Sequence, residues 1–164
     1  MIWNTAEKVI LMMITKEDFI QRCQVWISIG GQWRSTNQAY KPGDHAPQAF
    51  EYQTESGPYP ASMGFTIYAI IGEQKYVFWK GYHYWNDIRN KSLYLSLGAN
   101  GEICTGENYE DHDMYYEMVM TNGQVMHILN QDKIINANEI TSIVKTLADG
   151  EWHPLPTLEW KRIL

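Results

Sequence analysis

The dipeptide Asn122-Gly123 constrains this chain more than any other pair of residues. It supplies the two positive-φ positions that a tight type I′ turn requires. Apolar side chains recur at every second position on both sides, at Met114, Tyr116, Met118 and Met120 before the turn and at Met126 and Ile128 after it. That pattern specifies a β-hairpin. Asn100-Gly101 and Asp149-Gly150 punctuate further apolar runs in the same way. The chain therefore reads as hairpins laid side by side, about ten strands at short regular spacing, and a meander of that length suggests an all-β fold: a closed antiparallel up-and-down β-barrel.

With 164 residues there is material for one sizeable core and hardly for two, so residues 15–164 are read as a single barrel domain behind an N-terminal segment, 1–14. A net charge of −6 without any run of Lys or Arg lacks the electrostatic footprint of a nucleic-acid-binding protein. Cys23 and Cys104 show neither a CxxC pair nor metal-ligand spacing, and read as buried thiols in a reducing compartment. Seven Trp and eleven Tyr against four Phe favour rings with a polar edge, suited both to a barrel wall and to a pocket lining.

In the N-terminal segment the apolar run from Val9 to Ile14 is flanked by Lys8 and Lys16 and is too short to span a bilayer, and no small-residue cleavage site follows it. A cytoplasmic protein without membrane association is expected. The segment itself is compatible with a strand, part of a helix or a tail. Thr15-Lys16-Glu17-Asp18 fits a capping box, and Phe19, Ile20, Cys23, Trp26 and Ile27 then recur at three- and four-residue spacing. A helix over 15–29, ended by Gly30-Gly31, is expected to lay this stripe over one barrel end. Further along, the run from Lys75 to Trp85 divides into two aromatic faces, Tyr76, Phe78, Lys80, Tyr82, Tyr84 and Val77, Trp79, Gly81, His83, Trp85, and alternation leaves open which points inward.

Gly31-Gln32-Trp33 after a short helix, with Trp160-Lys161-Arg162 near the other end, resembles the opening and closing strands of the calycins, the lipocalin and fatty-acid-binding-protein superfamily. A narrower likeness is to small bacterial calycin-type domains of unknown function related to the nitrobindins: Asp149-Gly150-Glu151-Trp152 precedes that closing motif, and Tyr84-Trp85-Asn86-Asp87 leads to Tyr94 and Asn100-Gly101. The likeness spans about residues 28–163. It implies that Trp33 lies across the closed end with the Arg162 guanidinium stacked on its face, a structural pair that holds the barrel shut.

For chemistry the candidates are few. His45, His83, His112, His127 and His153 show no HxH or HExxH spacing, so no metal site is predicted. The nitrobindin resemblance raises haem on His83, His127 or His153. However, Arg34-Ser35-Thr36-Asn37 follows Trp33 where that group carries a glycine-rich extension, and no cofactor is predicted. There is no nucleophile elbow, and neither cysteine has a base partner in sequence. Glu117 sits mid-strand among apolar even-numbered residues, on the other face from them; a carboxylate there meets either solvent or a pocket that would raise its pKa. Lys80 poses the same question.

Three readings follow. The preferred one is a lipocalin-like, non-enzymatic binding protein, a monomer or homodimer, that holds a small hydrophobic or amphipathic molecule in the barrel interior. Trp79, Tyr82, His83, Glu117, Met118, Met120 and Met126 are its candidate lining residues. The second is an isomerase, cyclase or hydrolase using His83 or Glu117 in the same cavity. The third is an interaction module presenting Trp3, Trp85 and Trp152 to a partner. A barrel packed solid with its methionines would remove the first two readings.

Overall fold

The computed structural model describes residues 14–109 and 113–163. Most of the N-terminal segment (1–13, with Trp3) and His112 lie outside the described residues. Helix α1 spans Lys16–Ile27, and Thr15 caps it as the sequence specifies: the Asp18 amide donates to Thr15 Oγ1 at 3.1 Å and the Thr15 amide donates to Asp18 Oδ2 at 3.0 Å. Its stripe of Phe19, Cys23 and Trp26 is buried. The helix ends at Ile27, short of the expected 29, because Ile29, Gly30 and Gly31 all take positive φ and reverse the chain into the first strand. Gly31 has no substitute there, since a Cβ would meet the Thr54 carbonyl oxygen at 2.2 Å.

The strands are β1 (Gln32–Thr36), β2 (Ala49–Ser56), β3 (Ser62–Ile71), β4 (Gln74–Asn86), β5 (Lys91–Gly98), β6 (Ile103–Tyr109), β7 (Asp113–Val119), β8 (Val125–Asn136), β9 (Glu139–Ala148), β10 (Glu151–Pro154) and β11 (Leu158–Arg162). Sequential antiparallel pairing runs from β1 to β9, and β9 pairs along its far edge first with β10 and then with β11. These last two are one interrupted strand, broken where Pro154 and Pro156 cannot donate to the ladder. Eleven segments thus fill ten positions of a closed barrel, as the turn spacing predicts.

Closure is made by β1 and β11. Trp33 and Arg162 are register partners, as are Arg34 and Lys161, and the Ile163 amide donates to the Gln32 carbonyl at 2.9 Å. The Arg162 guanidinium stands 4.1 Å from the centroid of the fully buried Trp33 ring. It donates to the carbonyls of Ala137, Val25 and Ser28, so a single side chain ties the last strand to a turn and to the end of α1. Trp33 Nε1 donates to the Trp26 carbonyl at 2.8 Å. Around this pair, Trp26 meets Tyr52 edge-on at 4.8 Å and Trp33 at 5.0 Å, while Phe19 packs on Trp85 at 6.0 Å. The helix therefore seals one end of the barrel with an aromatic plug. Lys16 also pairs with Asp87, in the turn between β4 and β5, at 2.7 Å.

A β-bulge settles the two faces of β4. Ile67 pairs with Trp79 but Tyr68 pairs with Val77, leaving Phe78 as the extra residue. Trp79, Gly81, His83 and Trp85 occupy one face; beyond the bulge the parity changes, so Phe78 turns inward beside Trp79. Strand β5 reverses the usual economy of a barrel strand. Its serines, Ser92 and Ser96, are fully buried, while Leu95 and Leu97 are exposed. Small side chains on the inner face leave the interior unfilled.

Candidate functional site

The interior is not packed solid. A chamber of about 360 Å³ runs from the α1 end toward the rim formed by the β3–β4, β5–β6 and β7–β8 turns, a size typical of ligand pockets. Its walls are mostly apolar. Trp79, Phe78, Met118, Met120 and Val144 surround its upper part, and Trp26, Phe65 and Trp160 its lower part.

Of the candidate lining residues, the structure brings together Trp79, His83, Met118 and Met120. Tyr82 does not join them: it alternates with His83 and is 43% exposed on the outer surface. Glu117 likewise faces outward, one position out of phase with Tyr116 and Met118, and its carboxylate lies 3.9 Å from His127 Nδ1 on the same outer face. Met126 is half-buried opposite Met118 in the ladder, yet it does not line the chamber. Trp33 and Arg162 form the closure described above. Trp85, offered as an exposed partner-binding ring, is buried under Phe19, whereas Trp152 is exposed and edge-on to Tyr115.

The polar part of the chamber went unrecognised in the sequence. Tyr52, Tyr94 and Tyr116 reach in from β2, β5 and β7, and Asn130 and Asp132 from β8. A signal for it existed. Even-numbered residues face inward along the Met114–Ile128 hairpin, and the same parity carried past the last apolar residue places Asn130 and Asp132 inside.

Asp132 is held in place by its neighbours. Ser142 Oγ donates to Oδ1 at 2.5 Å and Asn130 Nδ2 donates to the same oxygen at 3.0 Å, while Trp160 Nε1 donates to Ser142 Oγ at 3.1 Å. Oδ2 accepts no hydrogen bond from a described residue. Burial raises the pKa of Tyr52 and Tyr116 well above the usual phenol value, with Tyr94 and the Asp132 carboxylate adding to the effect, so both hydroxyls stay protonated. Neither hydroxyl finds a protein partner among the described residues; both open onto the chamber. Tyr94 differs, since its oxygen accepts from Ser96 Oγ at 2.9 Å.

His83 lies against the Tyr94 ring edge-on at 4.7 Å and against Phe65 at 5.6 Å. Burial lowers its pKa to about 4, so at neutral pH the chamber holds an uncharged imidazole. His127 and His153 stand on the outer surface. Of the three, His83 alone lines the chamber. Among the described residues no group of three or more His, Cys, Asp or Glu side chains could hold a metal ion, and no helix is long and apolar enough to cross a membrane.

No protein-family model matches the chain, and no curated protein is significantly similar to it.

Proposed function

We propose that this protein is a calycin-like binding protein that holds a small amphipathic molecule in its barrel. The observation that carries this reading is the chamber itself. Apolar walls converge on the hydroxyls of Tyr52 and Tyr116, which have no hydrogen-bond partner among the described residues and open onto the chamber, where a ligand's polar group can meet them. The family resemblance is supported by the Trp33–Arg162 stack at the joined ends of the barrel. The enzymatic alternative has less behind it: Glu117 is outside, and an imidazole of pKa about 4 is a weak base at neutral pH.

The test is a titration with N-phenyl-1-naphthylamine, an uncharged fluorophore that brightens in apolar surroundings. Saturable enhancement is expected for the wild type and its loss for Met118→Trp, which fills the chamber. Absence of enhancement in the wild type, or its persistence in a folded Met118→Trp protein, overturns the reading.

A further inference from the structure

Charge separates the ligands that this chamber can take. Among the described residues no lysine or arginine lines it, whereas two carboxylates do. Glu102 stands toward the rim, where its own backbone amide and Asn100 hold its carboxyl below the usual range. Asp132 stands deeper, its Oδ1 occupied by Ser142 and Asn130 and its Oδ2 facing no described donor. Arg22 approaches from beneath the floor and donates Nη2–H to the Asp132 main-chain carbonyl at 2.9 Å; it lines the smaller void under the helix and not the chamber.

A carboxylate ligand such as a fatty acid would bring a negative charge toward Asp132 and Glu102, and the nearest described cation, Arg22, lies beneath the floor, where it is bonded to the Asp132 carbonyl and lines with Asp132 the smaller void. A protonated amine meets the opposite conditions. Its N–H groups match an oriented carboxylate oxygen, and the Tyr52 and Tyr116 oxygens, which also line the chamber, can accept further bonds. The uncharged His83 adds no repulsion.

We infer that the chamber selects a protonated primary amine on an apolar or aromatic body, with the Asp132 carboxylate as its anchor. The inference rests on the chamber being a ligand site and specifies which ligand chemistry it takes.

Three molecules with one body test it: 4-phenylbutylamine, 4-phenylbutan-1-ol and 4-phenylbutyrate, titrated calorimetrically and by displacement of N-phenyl-1-naphthylamine. The amine is expected to bind at least about tenfold more tightly than the alcohol, and the carboxylate at least about tenfold more weakly. Asp132→Asn should abolish the preference, so that the variant binds the amine no more tightly than it binds the alcohol. Should the carboxylate bind as tightly as the amine, or should Asp132→Asn keep the preference, the amine inference is overturned while the chamber remains a binding site. Failure of all three to displace a bound fluorophore overturns it equally, and the wild-type series decides the matter even if the variant does not fold. Failure of the fluorophore itself to bind is a separate result that removes the underlying reading.

Discussion

His83 and Tyr94 are direct partners across the β4–β5 ladder, with their rings 4.7 Å apart and nearly perpendicular on the chamber wall. The contact leaves the imidazole enclosed and uncharged, its pKa lowered to about 4 from 6.5 by burial. Between those two values the unfolded chain binds a proton that the folded chain refuses, so stability falls as the pH drops from about 6.5 to about 4 and is unaffected by this group above and below that window. The size of the shift sets the loss at no more than about 3 kcal/mol. Urea unfolding at a series of pH values should show this acid limb, and His83→Phe should flatten it.

At the other end of the molecule, Arg162→Ala removes the guanidinium from Trp33 and strips the donor from the Ala137, Val25 and Ser28 carbonyls together. A loss of about 3 kcal/mol or more is expected by urea unfolding. Arg162→Lys keeps the charge but loses the planar fork, and its cost should fall between those of the wild type and the alanine variant.

Gly106 pairs with both Tyr94 and Tyr116, and a Cβ there would lie 2.5 Å from Tyr116 Cδ1 and 2.6 Å from the Tyr115 carbonyl oxygen. Gly106→Ala must therefore displace the Tyr116 ring from its place on the chamber wall. The expected outcome is a destabilisation of about 1–3 kcal/mol together with weaker fluorophore binding, measured by urea unfolding and titration of the same sample.

Cys23, under the helix, and Cys104, on the chamber wall, are both buried, and desolvation pushes each thiol up to about 12. Only about one part in ten thousand of either is thiolate at pH 8. The native protein should react with Ellman's reagent very slowly, and both thiols should react promptly once the chain is unfolded in urea.

Much of the architecture was legible from residue types alone. Asn100-Gly101, Asn122-Gly123 and Asp149-Gly150 mark three hairpins, though only Asp149-Gly150 puts both residues at positive φ as a type I′ turn requires; at the other two the glycine alone does, and the expected I′ geometry at Asn122 is not found. Thr15 with Asp18 marks the start of the helix. The pairing of Trp33 with Arg162 was legible from the family resemblance, because two distant short motifs had to meet once the barrel closed. The amphipathic parity of the Met114–Ile128 hairpin likewise placed Met118 and Met120 inside.

The tertiary structure decided what local pattern could not carry. Hydropathy expects the leucines of β5 inside and its serines outside, yet enclosure puts Ser92 and Ser96 inside, and the room they leave is part of why a chamber exists. The bulge at Phe78 breaks the two-residue period within β4, so no alternation rule could give the inward face of its whole length. Hairpin parity carries Asp132 inside, but its partners come from strands distant in sequence: Ser142 of β9 donates to its carboxylate and Trp160 of β11 donates to Ser142. Turns and caps are set by neighbours in the chain; the contents of a barrel are set by which strands its closure brings face to face.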